Sequence, residues 1–167
     1  VTTNRQLLRD ALGCAPAWLS QVHGIQVAAA DAGQIAVADA SYTVGAGVAC
    51  AVLTADCLPV LFCNTQGTEV AAAHAGWRGL AAGMLEATVS AMQSKPETIL
   101  AWLGPAAGAK RYEVGEEVRQ AFISRNPLSE SAFKPTRIGH YLIDMVAIAR
   151  QRLQAVGVTK IYGGDYC

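Results

Sequence analysis

Charge is scarce in this 167-residue chain: only 16% of its residues are Asp, Glu, Lys or Arg, and 13 basic side chains balance 13 acidic ones. With no net charge and no block of like charges, nothing draws a nucleic acid or an anionic lipid surface from a distance, which argues against a polyanion-binding role. Long apolar runs are also missing. Val48–Leu53 and Leu58–Cys63 are broken by Thr54, Asp56 and Asn64, far short of the roughly 20 residues a membrane span requires. Residues 1–12 lack the basic-then-apolar pattern of a secretory signal, so the expected address is cytoplasmic. The five cysteines, at 14, 50, 57, 63 and 167, are an odd number in a chain large enough to fold without staples, so they read as reduced thiols. Cys50 and Cys63 sit in apolar runs and behave as small hydrophobes, whereas Cys57 has polar neighbours. Histidine is rarer still, with three in all.

What the chain has is apolar bulk: 52% of its residues are hydrophobic, enough to build the core of one domain. Thr3-Asn4-Arg5-Gln6 opens like a capping box, Leu7, Leu8 and Leu12 form a helical stripe, and Gly13 supplies the stop. Trp18–Val22 and Ile25–Ala29 read as short extended segments meeting at His23-Gly24. Val48–Thr54, Pro59–Asn64 and Glu69–Ala73 read as strands, the last two joined by Thr65-Gln66-Gly67-Thr68 as a buried hairpin. His74 falls where a strand hands over to a helix spaced over Leu80–Met92 and ended by Lys95-Pro96. Thr98–Leu103 and Lys160–Tyr162 read as further strands, and Val114–Ile123 and Tyr141–Val156 as helices. Mixed strands and helices without repeat or linker predict one α/β or α+β domain with a largely buried sheet.

His23, Cys57 and His74 all fall at predicted element ends, where scaffolds present functional side chains. Two imidazoles and a thiolate are a ligand set for catalytic zinc that keeps a fourth position open, and such an ion activates water or polarises a substrate oxygen. Spacing alone leaves other readings open. Intervals of 34 and 17 residues match no compact zinc signature. Each side chain is as well explained structurally, and a Cys57–His74 nucleophilic pair would also be chemically sound.

Four segments resemble the YfiH family in order: Gln21-Val22-His23-Gly24, Thr54-Ala55-Asp56-Cys57-Leu58-Pro59-Val60, His74-Ala75-Gly76-Trp77-Arg78-Gly79, and Gly104-Pro105-Ala106 through Tyr112-Glu113-Val114-Gly115. That family carries the labels polyphenol oxidase or laccase, peptidoglycan editing factor and purine nucleoside phosphorylase. The resemblance implies a layered α/β sandwich with a mixed sheet, similar to the catalytic domain of the cytotoxic necrotising factor. It also implies that His23, Cys57 and His74 are the metal ligands, while His140 matches no motif. Family members are longer at both ends, so residues 1–167 are expected to be a single metal-dependent catalytic domain without the family's terminal segments.

The resemblance implies a zinc-dependent purine nucleoside phosphorylase acting on adenosine, inosine and methylthioadenosine, with adenosine deamination as a side activity. Purine nucleoside and phosphate are then the small-molecule partners, with no nucleic acid or membrane partner and a monomer or weak homodimer expected. Arg78, four residues after His74, is the expected phosphate-binding catalytic side chain, though it could equally be a structural arginine. Asp56 is a candidate acid or base and Asp39 a weaker one; either could instead hold a metal ligand in place. The alternatives are a copper-dependent, laccase-like polyphenol oxidase and a factor that edits peptidoglycan precursors. Three histidines are too few for several copper ions, but one copper in a His2Cys site is chemically acceptable.

Overall fold

Leu58–Asn64 alternates strictly, turning Leu58, Val60, Phe62 and Asn64 to a buried side and Leu61 to an exposed one. Such period-two burial is what a sheet covered on one face imposes. In the computed structural model, which describes residues 2–167, this strand is central to a mixed six-stranded sheet. It pairs antiparallel with Val70–Ala75 on one side and with Ile99–Leu103 on the other. Beyond Val70–Ala75 come Ala40–Thr43, antiparallel, and then Val27–Ala29, parallel to its neighbour. Lys160–Gly163 runs parallel to Ile99–Leu103 and completes the other edge. The helices Met84–Ala91 and Met145–Ala155 cover one face. Leu85, Val89, Ile148 and Leu153 join Leu58, Val60, Phe62, Ile99 and Leu103 in one core.

The other face is open near the Lys160–Gly163 edge. Leu61, Trp102 and Tyr162, aligned by register, are 43%, 41% and 55% exposed, so the sheet is less buried than its apolar content predicts. A small antiparallel sheet of Glu113–Gly115, His140–Ile143 and Phe133–Pro135 packs with helix Glu116–Ile123, its Phe133 ring 5.9 Å from Phe122. Ala15–Ala17 with Val48–Cys50, and Leu19–Ser20 with Ala36–Val37, form two short parallel pairs.

Several element readings need correction. The helix read from Tyr141 begins at Met145. His140–Ile143 is a strand, and Asp144 caps the helix by accepting from Ala147 N at 2.8 Å. The helix read from Val114 likewise begins at Glu116, because residues 113–115 pair with His140–Leu142. The helix after His74 starts early, at Trp77, and is interrupted at Gly83, whose φ of +110° ends Trp77–Ala82 and opens Met84–Ala91. A helix forms over Thr2–Leu12 and stops at Gly13, but Thr3 lies within it and does not open a capping box, and Leu7, Leu8 and Leu12 face solvent. Ala40–Thr43, an inner strand, is too short and too rich in small residues to declare itself by pattern. No helix of the described residues is long and apolar enough to cross a membrane.

Candidate metal centre

Three chain segments meet at one end of the sheet. His74 is the penultimate residue of Val70–Ala75 and is 3% exposed. The register pairing Leu58 with Ala75 brings the preceding residue, Cys57, alongside Gly76. His23 sits on a bend with φ +60°, a left-handed conformation rare for a residue with a Cβ. Gln21 ties this bend down: its side-chain amide donates to Leu53 O at 2.9 Å and accepts from Leu53 N at 2.7 Å.

The result is a cluster of ligating atoms. One atom each from His23, Cys57 and His74 lies within 4.8 Å of the other two, and Cys57 Sγ is 3.9 Å from His23 Nε2. The imidazoles meet edge to face at 4.7 Å. A tetrahedral zinc with ordinary Zn–S and Zn–N lengths would put sulfur and nitrogen about 3.5 Å apart, so closing on the ion needs only small side-chain movement. Two nitrogens and a sulfur in a trigonal cluster, with space on one side, fit such an ion; the same donors also suit copper.

Close approach here depends on absent side chains. A Cβ at Gly76 would lie 2.9 Å from His23 Cδ2 and 3.0 Å from Cys57 Sγ, and one at Gly79 would lie 2.8 Å from Gly24 O. The glycines after His74 therefore let the strand-to-helix turn press against the His23 bend and the Cys57 loop.

Beside the cluster opens a cavity of about 780 Å³, lined by His23, Cys57, Asp56, Trp77, Arg78, Arg111, Tyr112 and Met145. Arg78 stacks on Trp77, 4.4 Å from the ring centroid, and enters none of the ion pairs among the described residues. Burial pushes the Cys57 thiol up from its ordinary value, and the carboxylates of Asp56 and Asp39 push it further. Without a metal, Cys57 is thus a poor nucleophile. The Tyr112 phenol is raised by burial first, then by Cys57 and Asp56 against the opposing Arg78, and remains a hydrogen-bond donor facing the cavity.

The structure brings His23, Cys57 and His74 together and sets Arg78 and Asp56 in the adjoining cavity. His140 lies elsewhere, its Nδ1 3.0 Å from Ile138 O. Asp39 does not face the cavity: it is fully buried with its carboxylate against His74 and the His23 bend, so it cannot serve as an acid or base toward substrate. Tyr112 lines the cavity although nothing local in the sequence assigns it there, because the long Gly104–Tyr112 loop that delivers it has no pattern pointing inward. Nor does local sequence reveal the role of Gln21, since its pairing with Leu53 spans 32 residues.

A family model described as multi-copper polyphenol oxidoreductase laccase matches residues 1–167. The chain is 51% identical over 168 residues to a purine nucleoside phosphorylase of Pseudomonas aeruginosa, covering all of this chain and 69% of that protein. It is 55% identical over 174 residues to purine nucleoside phosphorylase YfiH of Escherichia coli K12, covering all of this chain and 70% of that one. Among solved structures, a Neisseria meningitidis protein superposes with a TM-score of 0.96 at 47% identity, over 98% of this chain and 69% of that one. YlmD from Geobacillus stearothermophilus superposes with a TM-score of 0.90 at 30% identity, over 98% and 68%.

Proposed function

Because this chain belongs to the YfiH-type family, described as multi-copper polyphenol oxidoreductase laccases, and matches relatives named purine nucleoside phosphorylase, we propose that it is a zinc-dependent purine nucleoside phosphorylase. Its proposed substrates are adenosine, inosine and methylthioadenosine, with adenosine deamination as a second activity of the same pocket. The observation that carries this reading is the convergence of His23, Cys57 and His74 beside a cavity that His23, Cys57 and Arg78 line. When bound there, zinc supplies Lewis-acid chemistry toward a substrate oxygen or water.

The chain's own residues supply the rest. His23, Cys57 and His74 would hold the ion. Arg78, stacked on Trp77 and in no ion pair among the described residues, offers two parallel donors to phosphate. Phosphate oxygen then bonds to the ribose anomeric carbon as the bond to the purine nitrogen breaks, giving ribose 1-phosphate and free base. The protonated Tyr112 phenol offers a donor to a heteroatom of the bound nucleoside.

The family description favours a second reading, copper-dependent oxidation of phenols. Against it stands the donor inventory: three histidines in the chain, of which His140 lies outside the cluster, allow one His2Cys ion and not several. The deciding assay incubates zinc-loaded protein with adenosine and inosine, with and without phosphate, and follows base, ribose 1-phosphate and ammonia. Phosphate-dependent release of base supports the proposal. Turnover of phenols by copper-loaded protein, with none of nucleosides by zinc-loaded protein, overturns it.

A further inference from the structure

Asp39 stands immediately before strand Ala40–Thr43 and is 0% exposed. The pairing of Ala40 with Ala73 places it beside His74, whose backbone N donates to Asp39 O at 2.7 Å. Its carboxylate is engaged on every side. Oδ1 lies 2.8 Å from His74 Nδ1 and accepts from His23 N at 2.9 Å, while Oδ2 accepts from Val22 N at 3.1 Å and Gly24 N at 2.7 Å. These four contacts match the roughly four lone-pair sites of an ionised carboxylate. Three of these contacts are backbone N–H groups, from residues 22, 23 and 24, and a carboxylate that accepts from several backbone donors is favoured in its ionised form.

We infer that Asp39 is the positioning residue of the metal site, one carboxylate that fixes both imidazole ligands at once. An ionised carboxylate only accepts, so Nδ1 of His74 carries the hydrogen and Nε2 keeps its lone pair for the metal. The three successive backbone N–H groups of residues 22–24 close around the same carboxylate, a concave anion site that holds the His23 bend at φ +60°. Either effect alone would orient one ligand. Together they set the geometry of two ligands that lie 51 residues apart in the chain. This inference rests on the reading of the cluster as a metal site.

Asp39→Asn is the informative variant, because an amide of the same shape cannot accept on both sides. With Nδ2 toward Val22 and Gly24, two N–H groups face a donor. With Nδ2 toward His74, the amide donates to Nδ1 and moves the ring hydrogen to Nε2, which blocks that ligand. Zinc affinity, read by competition with a chromophoric chelator, is expected to fall about 10–100-fold, the usual cost of losing such a partner. Histidine nitrogen NMR of the metal-free wild type is expected to show His74 as the Nδ1–H tautomer. Equal zinc affinity in Asp39→Asn and wild type, or an Nε2–H tautomer in the metal-free wild type, overturns the inference; the second readout holds even if the variant does not fold. Failure of the wild type itself to bind zinc or copper would instead remove the metal reading, while the tautomer measurement still judges Asp39.

Discussion

Cys57 Sγ lies 3.9 Å from His23 Nε2, although 34 residues separate them in the chain, and a single glycine, Gly76, keeps the space between their segments clear. If both are ligands with His74, removing the sulfur leaves two imidazoles, too few for tight binding. Cys57→Ala is expected to purify with little or no zinc while keeping its far-ultraviolet dichroism, since the core is built from the sheet and helices and not from the metal. Elemental analysis checks it; a full zinc complement in the variant would remove Cys57 from the ligand set.

Thiol reactivity separates a ligand from a nucleophile. Burial, and then Asp56 and Asp39, raise the Cys57 thiol, so its thiolate fraction at neutral pH is below that of a free cysteine. In chelator-treated protein, alkylation of Cys57 is expected to be slow at pH 7 and to rise only above the ordinary cysteine range. Asp56→Asn removes one negative charge, which lowers the pKa and shifts that profile to lower pH. Peptide mapping of iodoacetamide labelling against pH checks both statements. Fast labelling of the wild type at pH 7 would favour an activated Cys–His pair instead.

A methyl group at position 76 has nowhere to go. Its Cβ would meet His23 Cδ2 at 2.9 Å and Cys57 Sγ at 3.0 Å, so Gly76→Ala must spread the ligand cluster. Overpacking of this kind costs about 1–3 kcal/mol. Urea unfolding of the metal-free variant should show a loss in that range, and chelator competition should show weaker zinc binding. Unchanged affinity would mean that the cluster tolerates a wider spacing than the glycine enforces.

Arg78 separates the two proposed activities. Arg78→Ala is expected to lose about 2–4 kcal/mol of transition-state stabilisation for phosphate-dependent cleavage of inosine, as when one electrostatic stabiliser is removed. Deamination of adenosine uses water and no phosphate, and should fall much less. Arg78→Lys keeps the charge without the paired donors and should lie between wild type and Arg78→Ala. The comparison is kcat/KM for both reactions in the same preparations, with zinc content measured in each. An equal drop in both at unchanged zinc would make Arg78 a general support of the cavity.

Gly83 tests the helix interruption. Its φ of +110° lies where side chains are strained, so Gly83→Ala is expected to destabilise the protein by about 1–2 kcal/mol without touching the metal cluster. Thermal unfolding together with unchanged zinc affinity checks this.

The sequence by itself determined the features that local chemistry controls. The β-rich run Pro59–Asn64, the glycine turn at Gly67, the strand-to-helix passage at His74 and the stop at Gly13 were all legible, because each depends on neighbours within a few residues. The three candidate ligands were legible too, grouped by their place at element ends, but family resemblance and not their spacing singled that grouping out. Tertiary structure alone decided the rest. Tyr141–Ile143 became a strand because Glu113–Gly115 and Phe133–Pro135 pair with it, and the start of the helix moved to Met145, which Asp144 caps. Asp39 read as the weaker of two candidate acids, with holding a metal ligand as the alternative for either; only the pairing of Ala40–Thr43 with Val70–Ala75 buries it between the His74 imidazole and the backbone of the His23 bend. Such roles are set by contacts between residues tens of positions apart, and no window along the chain contains both partners.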